Sequence, residues 1–265
     1  MTVIPMTSEM QFVRVGRPAD EIAVAVLTRP EVMNALNATM VGELRALLSS
    51  LADDRARVLI ITGEGERAFS AGADLEDMLA MSEQAAYHSL QSGIALTREI
   101  EQCPKTIIAA VNGAALGGGM ELALACDLRT AKSDAKMGLP EVKVGIFPGW
   151  GGTVRLPRLI PGGIAREMLL TGSLIDGTRA AELGLVNRAG DDAMALAMQL
   201  ADNVLRGAPV AQQQAKLVTS RAGDMSIDDA MTLENEAWMR TFFSEDRREG
   251  HRAFLERRNP VWTGR

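Results

Sequence analysis

The sequence predicts an α/β fold followed by an all-helical C-terminal part, and three observations carry that prediction. Two β-branched runs, IAVAVLT (22–28) and VLIIT (58–62), enclose a helical pattern over 39–52. A second strand–helix set follows directly. Beyond about residue 190 the strand signal stops, and four helical stretches succeed one another.

The second set opens with a helix over roughly 83–102 and continues with a strand at 106–111 (TIIAAV). A helix then starts at the glycine run 117–119, and a further strand lies near Leu128–Thr130. Apolar strands without alternation, separated by helices, predict parallel strands buried on both faces. Open sheets of this kind place ligands at the turns that leave strands and enter helices. Those turns hold the segments 63–75 and 112–152. The C-terminal helices are predicted over 191–206, 209–220, 226–243 and 246–255, with caps at Asp191, Pro209, Ser226 and Ser244. The chain therefore divides into residues 1–190, the α/β core, and residues 191–265, a helical region.

Composition excludes several classes of function. The chain has 265 residues, 47% hydrophobic and 23% charged, with a formal charge of −6. That balance argues against a nucleic-acid binder. Cys103 and Cys126 are the only cysteines, too few for a zinc site or a disulfide framework. His88 and His251 stand alone, so no metal site is expected. The first residues, MTVIPMTSEM, lack a basic region followed by an apolar run, and no long apolar stretch occurs. A reduced, cytoplasmic protein that does not cross a membrane is expected.

Three stretches carry chemistry. NGAALGGGMELALACD (112–127) sets Gly117, Gly118 and Gly119 at a helix start and then places Glu121 among apolar residues. Glycines disfavour a helix interior, and a buried carboxylate is costly unless compensated. The run is neither GxGxxG nor a P-loop. It exposes backbone N–H groups at a helix N-terminus, where an anion or polarised oxygen binds well; tight helix–strand packing is the alternative. AFSAGADLEDM (68–78) supplies a second loop of small residues, and amides from two loops can polarise one carbonyl oxygen. MGLPEVKVGIFPGWGGT (137–153) adds Glu141 beside tight turns that flank Trp150. Two glutamates with no histidine or metal set suggest acid–base work by paired carboxylates, against structural ion pairs as the other reading.

With RPEVMNALN (29–37) and AFLERRNP near the C-terminus, these stretches resemble the enoyl-CoA hydratase/isomerase family, the crotonase superfamily, over nearly the whole chain. The resemblance implies a crotonase-like spiral of ββα units and a C-terminal helical trimerisation region. It implies an acyl-CoA thioester as substrate, with coenzyme A part of that substrate and no separate cofactor. It also implies a homotrimer or a dimer of trimers. The positions matching the family's oxyanion hole are Ala73 and Gly118. Both acidic positions of family hydratases are glutamate here, Glu121 and Glu141, and Gly149 matches the glycine whose N–H orients the water or the acidic group. Arg29, Ala71, Asp74, Leu75, Gly117, Trp150 and Arg257 fall around the acyl-CoA, Arg257 from a neighbouring subunit.

The expected reaction is hydration of a 2-enoyl-CoA to a 3-hydroxyacyl-CoA, with Glu121 activating water and Glu141 delivering the α-proton. A Δ3,Δ2-enoyl-CoA isomerase, a decarboxylase and a dehydratase are the alternatives within the superfamily. A non-catalytic acyl-CoA binder or RNA-associated relative is the alternative outside catalysis, disfavoured by the glutamate pair and the acidic charge. Trp150 stands where small residues are frequent, so its indole either narrows the acyl pocket or belongs to the core.

Overall fold

The computed structural model describes residues 6–265. Strands β1 (Met6–Glu9), β2 (Val13–Ala19) and β3 (Ile22–Leu27) form an antiparallel meander. Helix α1 (Ala38–Ser50) follows, its first turn capped by Asn37, whose side chain accepts from Met40 N at 2.9 Å. Three strand pairs come next. They are β4 (Val58–Gly63) with β5 (Ala68–Ser70), β6 (Thr106–Val111) with β7 (Ala114–Leu116), and β8 (Leu128–Lys132) with β9 (Met137–Gly138). The first pair leads into α2 (Leu75–Leu79) and α3 (Glu83–Gln102), and the second into α4 (Gly118–Ala125). After the third come α5 (Gly152–Leu159), α6 (Gly162–Thr171), α7 (Gly177–Glu182) and strand β10 (Arg188–Gly190).

Each pair sends its first strand to one sheet and its second to another. The larger sheet has the order β1-β2-β3-β4-β6-β8-β10, and the smaller has β5-β7-β9. From β3 onward the larger sheet is parallel, with Val24 opposite Ile60 and Ile60 opposite Ile108. These ββα units are the spiral implied by the resemblance. The central strands are buried from end to end, as their unalternating apolar runs require. The wholly parallel expectation needs correction at one edge, where the short β2–β3 turn makes β1, β2 and β3 antiparallel.

One compact unit extends to Ala201, and a second comprises Asp202–Arg265. Helix α8 (Ala193–Leu205) starts with Asp192, whose Oδ1 accepts from Ala195 N at 3.0 Å, and not with the expected Asp191. In the second unit α9 (Pro209–Ala222) and α10 (Ile227–Phe242) pack together, followed by α11 (Glu245–Leu255). Ser226 and Ser244 cap α10 and α11 as expected, whereas α9 is preceded by Ala208 at the cap, with Pro209 as its first helical residue, where a missing N–H costs nothing. The last residues fold back onto α11: buried Asp246 accepts from Thr263 N at 2.7 Å, and Glu249 accepts from Val261 N at 2.9 Å. No helix among the described residues is long and apolar enough to cross a membrane.

Candidate active site

The site is assembled on the smaller sheet. Residues 29–36 form a rail for the loop that leaves β5. Asn34 is fully buried; its Oδ1 accepts from Arg29 N and its Nδ2 donates to Ala68 O at 2.9 Å. Along the rail Ala71 N donates to Met33 O, Leu36 N to Gly72 O at 2.7 Å, and Asp74 N to Leu36 O. Backbone groups alternate along an extended segment. With the Gly72 carbonyl and Asp74 amide turned to Leu36, the Ala73 N–H faces the other way.

It faces toward the start of α4. Gly117 takes φ +51°, a conformation L side chains rarely adopt, and its N–H donates to Gly138 O at 3.0 Å. The Cβ position of Gly118 lies 3.4 Å from Ala73 N and 3.2 Å from Trp150 Cζ3. A Cβ on Gly119 would collide with the Ser70 carbonyl. The three glycines thus have separate causes: a left-handed turn, the approach of the two loops, and contact of α4 with β5. Neither Ala73 N–H nor Gly118 N–H donates an internal hydrogen bond among the described residues, and Gly118 lies at the positive dipole end of α4.

Glu121 lies one turn into α4 and is 2% exposed. Its Oε1 accepts from Trp150 N and from Gly152 N, each at 2.7 Å. Burial raises its pKa, opposed by these amides and by the Arg155 charge. These two amides follow Gly149 and Gly151 in the same turn. The tight turn at 148–152 points those two amides into the core.

Glu141 starts the short helical turn 141–144, and both its carboxylate oxygens are buried without a hydrogen-bond partner among the described residues. Its Oε1 lies 3.1 Å from the Cβ position of Gly117, so the first glycine also clears space for this carboxylate. Burial lifts its pKa from 4.5 to about 7, with the nearby Glu121 charge adding to the rise. The native state therefore holds a proton more firmly than the unfolded chain does, and wild-type stability falls as pH rises through that window. Glu141→Gln stays neutral throughout. Its melting temperature relative to wild type is expected to be higher at pH 8 than at pH 5, as thermal melts at the two pH values would show; an equal difference at both would contradict a buried, unpaired carboxylate.

Trp150 is a core residue, 8% exposed. Its indole fills a notch where α3 carries Gly93, since any Cβ there would overlap the ring, and its edge reaches Gly118. The wall beside the Ala73 and Gly118 amides is therefore fixed by packing.

Other expected residues fall elsewhere. Arg29 and Asp74 face each other, Nη2 to Oδ2 at 3.0 Å, while Asp74 Oδ1 caps α2 by accepting from Glu76 N. This ion pair braces the loop that carries Ala73. Ala71 is part of that loop's backbone rail. Leu75 is the exposed first residue of α2. Arg257 belongs to the second unit, exposed and with φ +56°. Sequence reasoning missed Asn34, Gly93, Thr97 and Arg155. Arg155 lies two residues beyond the 137–153 stretch, and nothing in the sequence gave its partner.

Two sheets of paired strands, and a helix N-terminus flanked by two buried carboxylates, define the class of protein. A family profile described as enoyl-CoA hydratase/isomerase matches residues 18–265. The chain belongs to that family. It is 40% identical to a crotonyl-CoA hydratase of Syntrophomonas wolfei, covering 90% of this chain and 93% of that one. It is 38% identical to an (E)-benzylidenesuccinyl-CoA hydratase of Thauera aromatica, covering 93% and 97%. The crystal structure of an enoyl-CoA hydratase from Bacillus anthracis superposes with a TM-score of 0.93 at 36% identity, covering 96% and 100%.

Proposed function

We propose that the chain is an enoyl-CoA hydratase that adds water across the double bond of a 2-enoyl-CoA. The observation that carries this reading is the pair of differently held carboxylates beside the α4 N-terminus. Glu121 is fixed by two amides, while Glu141 is unpartnered with a pKa lifted to about 7. The Ala73 and Gly118 amides receive the thioester oxygen, and the helix dipole favours its enolate-like charge. Glu121 takes a proton from water as it attacks the β-carbon, and Glu141 supplies one to the α-carbon. A group titrating near neutrality suits that donation. The two carboxylates titrate as a coupled pair. No metal or further cofactor enters the reaction. Loss of the conjugated enoyl-thioester absorbance of crotonyl-CoA on mixing tests the reading, and no loss under any acyl chain would refute it.

The proposed assembly is a homotrimer or a dimer of trimers in the cytoplasm. Its support is the row of exposed apolar side chains on and beside α10, including Ile227, Met231, Trp238 and Phe243. Arg258 is engaged by Glu249 and Glu256, whereas Arg257 meets no carboxylate among the described residues. Arg257 is placed on the CoA phosphates of a neighbouring subunit. Arg257→Ala is expected to raise KM for a CoA substrate several-fold at low salt, with the difference shrinking as salt screens it. An unchanged KM at low salt would remove this role.

A further inference from the structure

Behind Glu121 lies a polar cluster that the reaction above does not use. The Trp150 carbonyl accepts from Thr97 Oγ1 at 3.0 Å and from Arg155 Nη1 at 2.7 Å. Arg155 is itself gripped in two-pronged fashion by Glu101, Nε to Oε1 at 2.7 Å and Nη2 to Oε2 at 2.8 Å. Its guanidinium lies over Gly151, where φ is +106° and any Cβ would strike the arginine. The same turn therefore has its carbonyl held from one side while the Trp150 and Gly152 amides reach Glu121 on the other.

We propose that Arg155, braced by Glu101, is a positioning residue for Glu121: it anchors the Trp150 carbonyl so that the turn's amides stay aimed at the carboxylate, and it stands behind that carboxylate as a cation. The proposal rests on the reading of Glu121 as the base. Two physical effects follow from it. The Trp150–Gly151 peptide is a rigid plane, so holding its carbonyl also directs the Gly151 N–H, which adds to the stabilisation of ionised Glu121. The Arg155 charge also favours the ionised form across a buried region where screening is weak.

Few other charges face Glu121. Helix α4 carries no second ionisable residue, and β5 and β7 carry none. On α3, Glu83, His88 and Arg98 are exposed, and Glu99 pairs with Arg45 at 2.6 Å, leaving Glu101 on Arg155. On α5, Arg158 is exposed. The turn 141–144 offers Glu141, with Lys143 exposed. Arg155 is the cation whose charge acts on Glu121. Without it, burial raises the Glu121 pKa further, and the pH below which activity is lost moves upward.

The experiment is the pH dependence of kcat and KM for crotonyl-CoA hydration in wild type, Arg155→Met, Arg155→Lys, Glu101→Gln and Glu121→Gln, with folding checked by circular dichroism. Arg155→Met is expected to lose about tenfold or more in kcat relative to wild type at pH 7, with KM within about twofold, and this ratio to wild type should recover toward pH 9 as Glu121 ionises in both. Arg155→Lys keeps the charge but not the planar fork; its acid limb should stay at the wild-type pH while kcat falls at every pH. Glu101→Gln should lower kcat at constant KM. A folded Arg155→Met whose acid limb coincides with wild type overturns the proposal, since a merely structural arginine would lower activity equally at every pH. If Arg155→Met does not fold, wild-type kcat in both Arg155→Lys and Glu101→Gln overturns it. Hydration surviving in Glu121→Gln would instead overturn the base reading, and this proposal with it; an inactive Glu121→Gln beside an unmoved acid limb removes the role of Arg155 alone.

Discussion

Glu121→Gln and Glu141→Gln are each expected to lower kcat for hydration by about 10²- to 10⁴-fold, with KM little changed. Glutamine keeps an oxygen for the Trp150 and Gly152 amides, so Glu121→Gln should fold with its turn intact. At Glu141 no partner is lost, because neither oxygen has one. What both substitutions remove is an ionisable group that acts in the transition state rather than in binding. Residues that act as a unit are not additive, so the double variant should lose far less than the product of the two single losses. Hydration rates and thermal midpoints for the three variants decide the matter. An isomerase that shuttles one proton would need one glutamate and tolerate loss of the other. Near-wild-type hydration in either single variant contradicts a mechanism that uses both.

Gly118→Pro is expected to lower kcat by about 10²- to 10³-fold, because it deletes one of the two amides assigned to the thioester oxygen. Gly118 is the first residue of α4, a position where proline is accommodated because its missing N–H has no helical acceptor. The added ring would press on the indole, whose Cζ3 already lies 3.2 Å from the Cβ position. The variant therefore needs a melting curve and a measured affinity for an acyl-CoA alongside its kinetics. Retained folding and affinity with lost turnover identify the amide as a transition-state donor. Retained turnover in a folded variant would remove Gly118 from the oxyanion hole.

Most of the architecture was legible in the sequence because it rests on long apolar runs. TIIAAV and the helix over 83–102 appear where periodicity placed them. The smaller sheet was not legible. Its strands β5, β7 and β9 are two or three residues long, too short for alternation to register, yet the segments that leave them hold Ala73, Gly118 and Glu141. Helices α5 to α7 were missed as well, since glycines and prolines at their starts resemble loop composition. At the site, glutamates and glycines could be picked out from residue type. Their partners could not, because Trp150 N and Gly152 N are ordinary backbone groups whose direction depends on a turn. The case of Trp150 is similar. Its size was evident, but the notch that receives it depends on Gly93, 57 positions earlier and unremarkable in sequence, and only the packing of α3 against the turn reveals it.

The central claim is that this site adds water, and the mass of the product tests it most directly. Wild-type protein would be incubated with crotonyl-CoA and with a 3-enoyl-CoA, and the thioesters separated and weighed. The proposed mechanism predicts a product from crotonyl-CoA heavier by one water, formed together with loss of the conjugated absorbance and abolished in Glu121→Gln. A thioester of unchanged mass from crotonyl-CoA, with the 3-enoyl-CoA converted to its conjugated isomer, would contradict it.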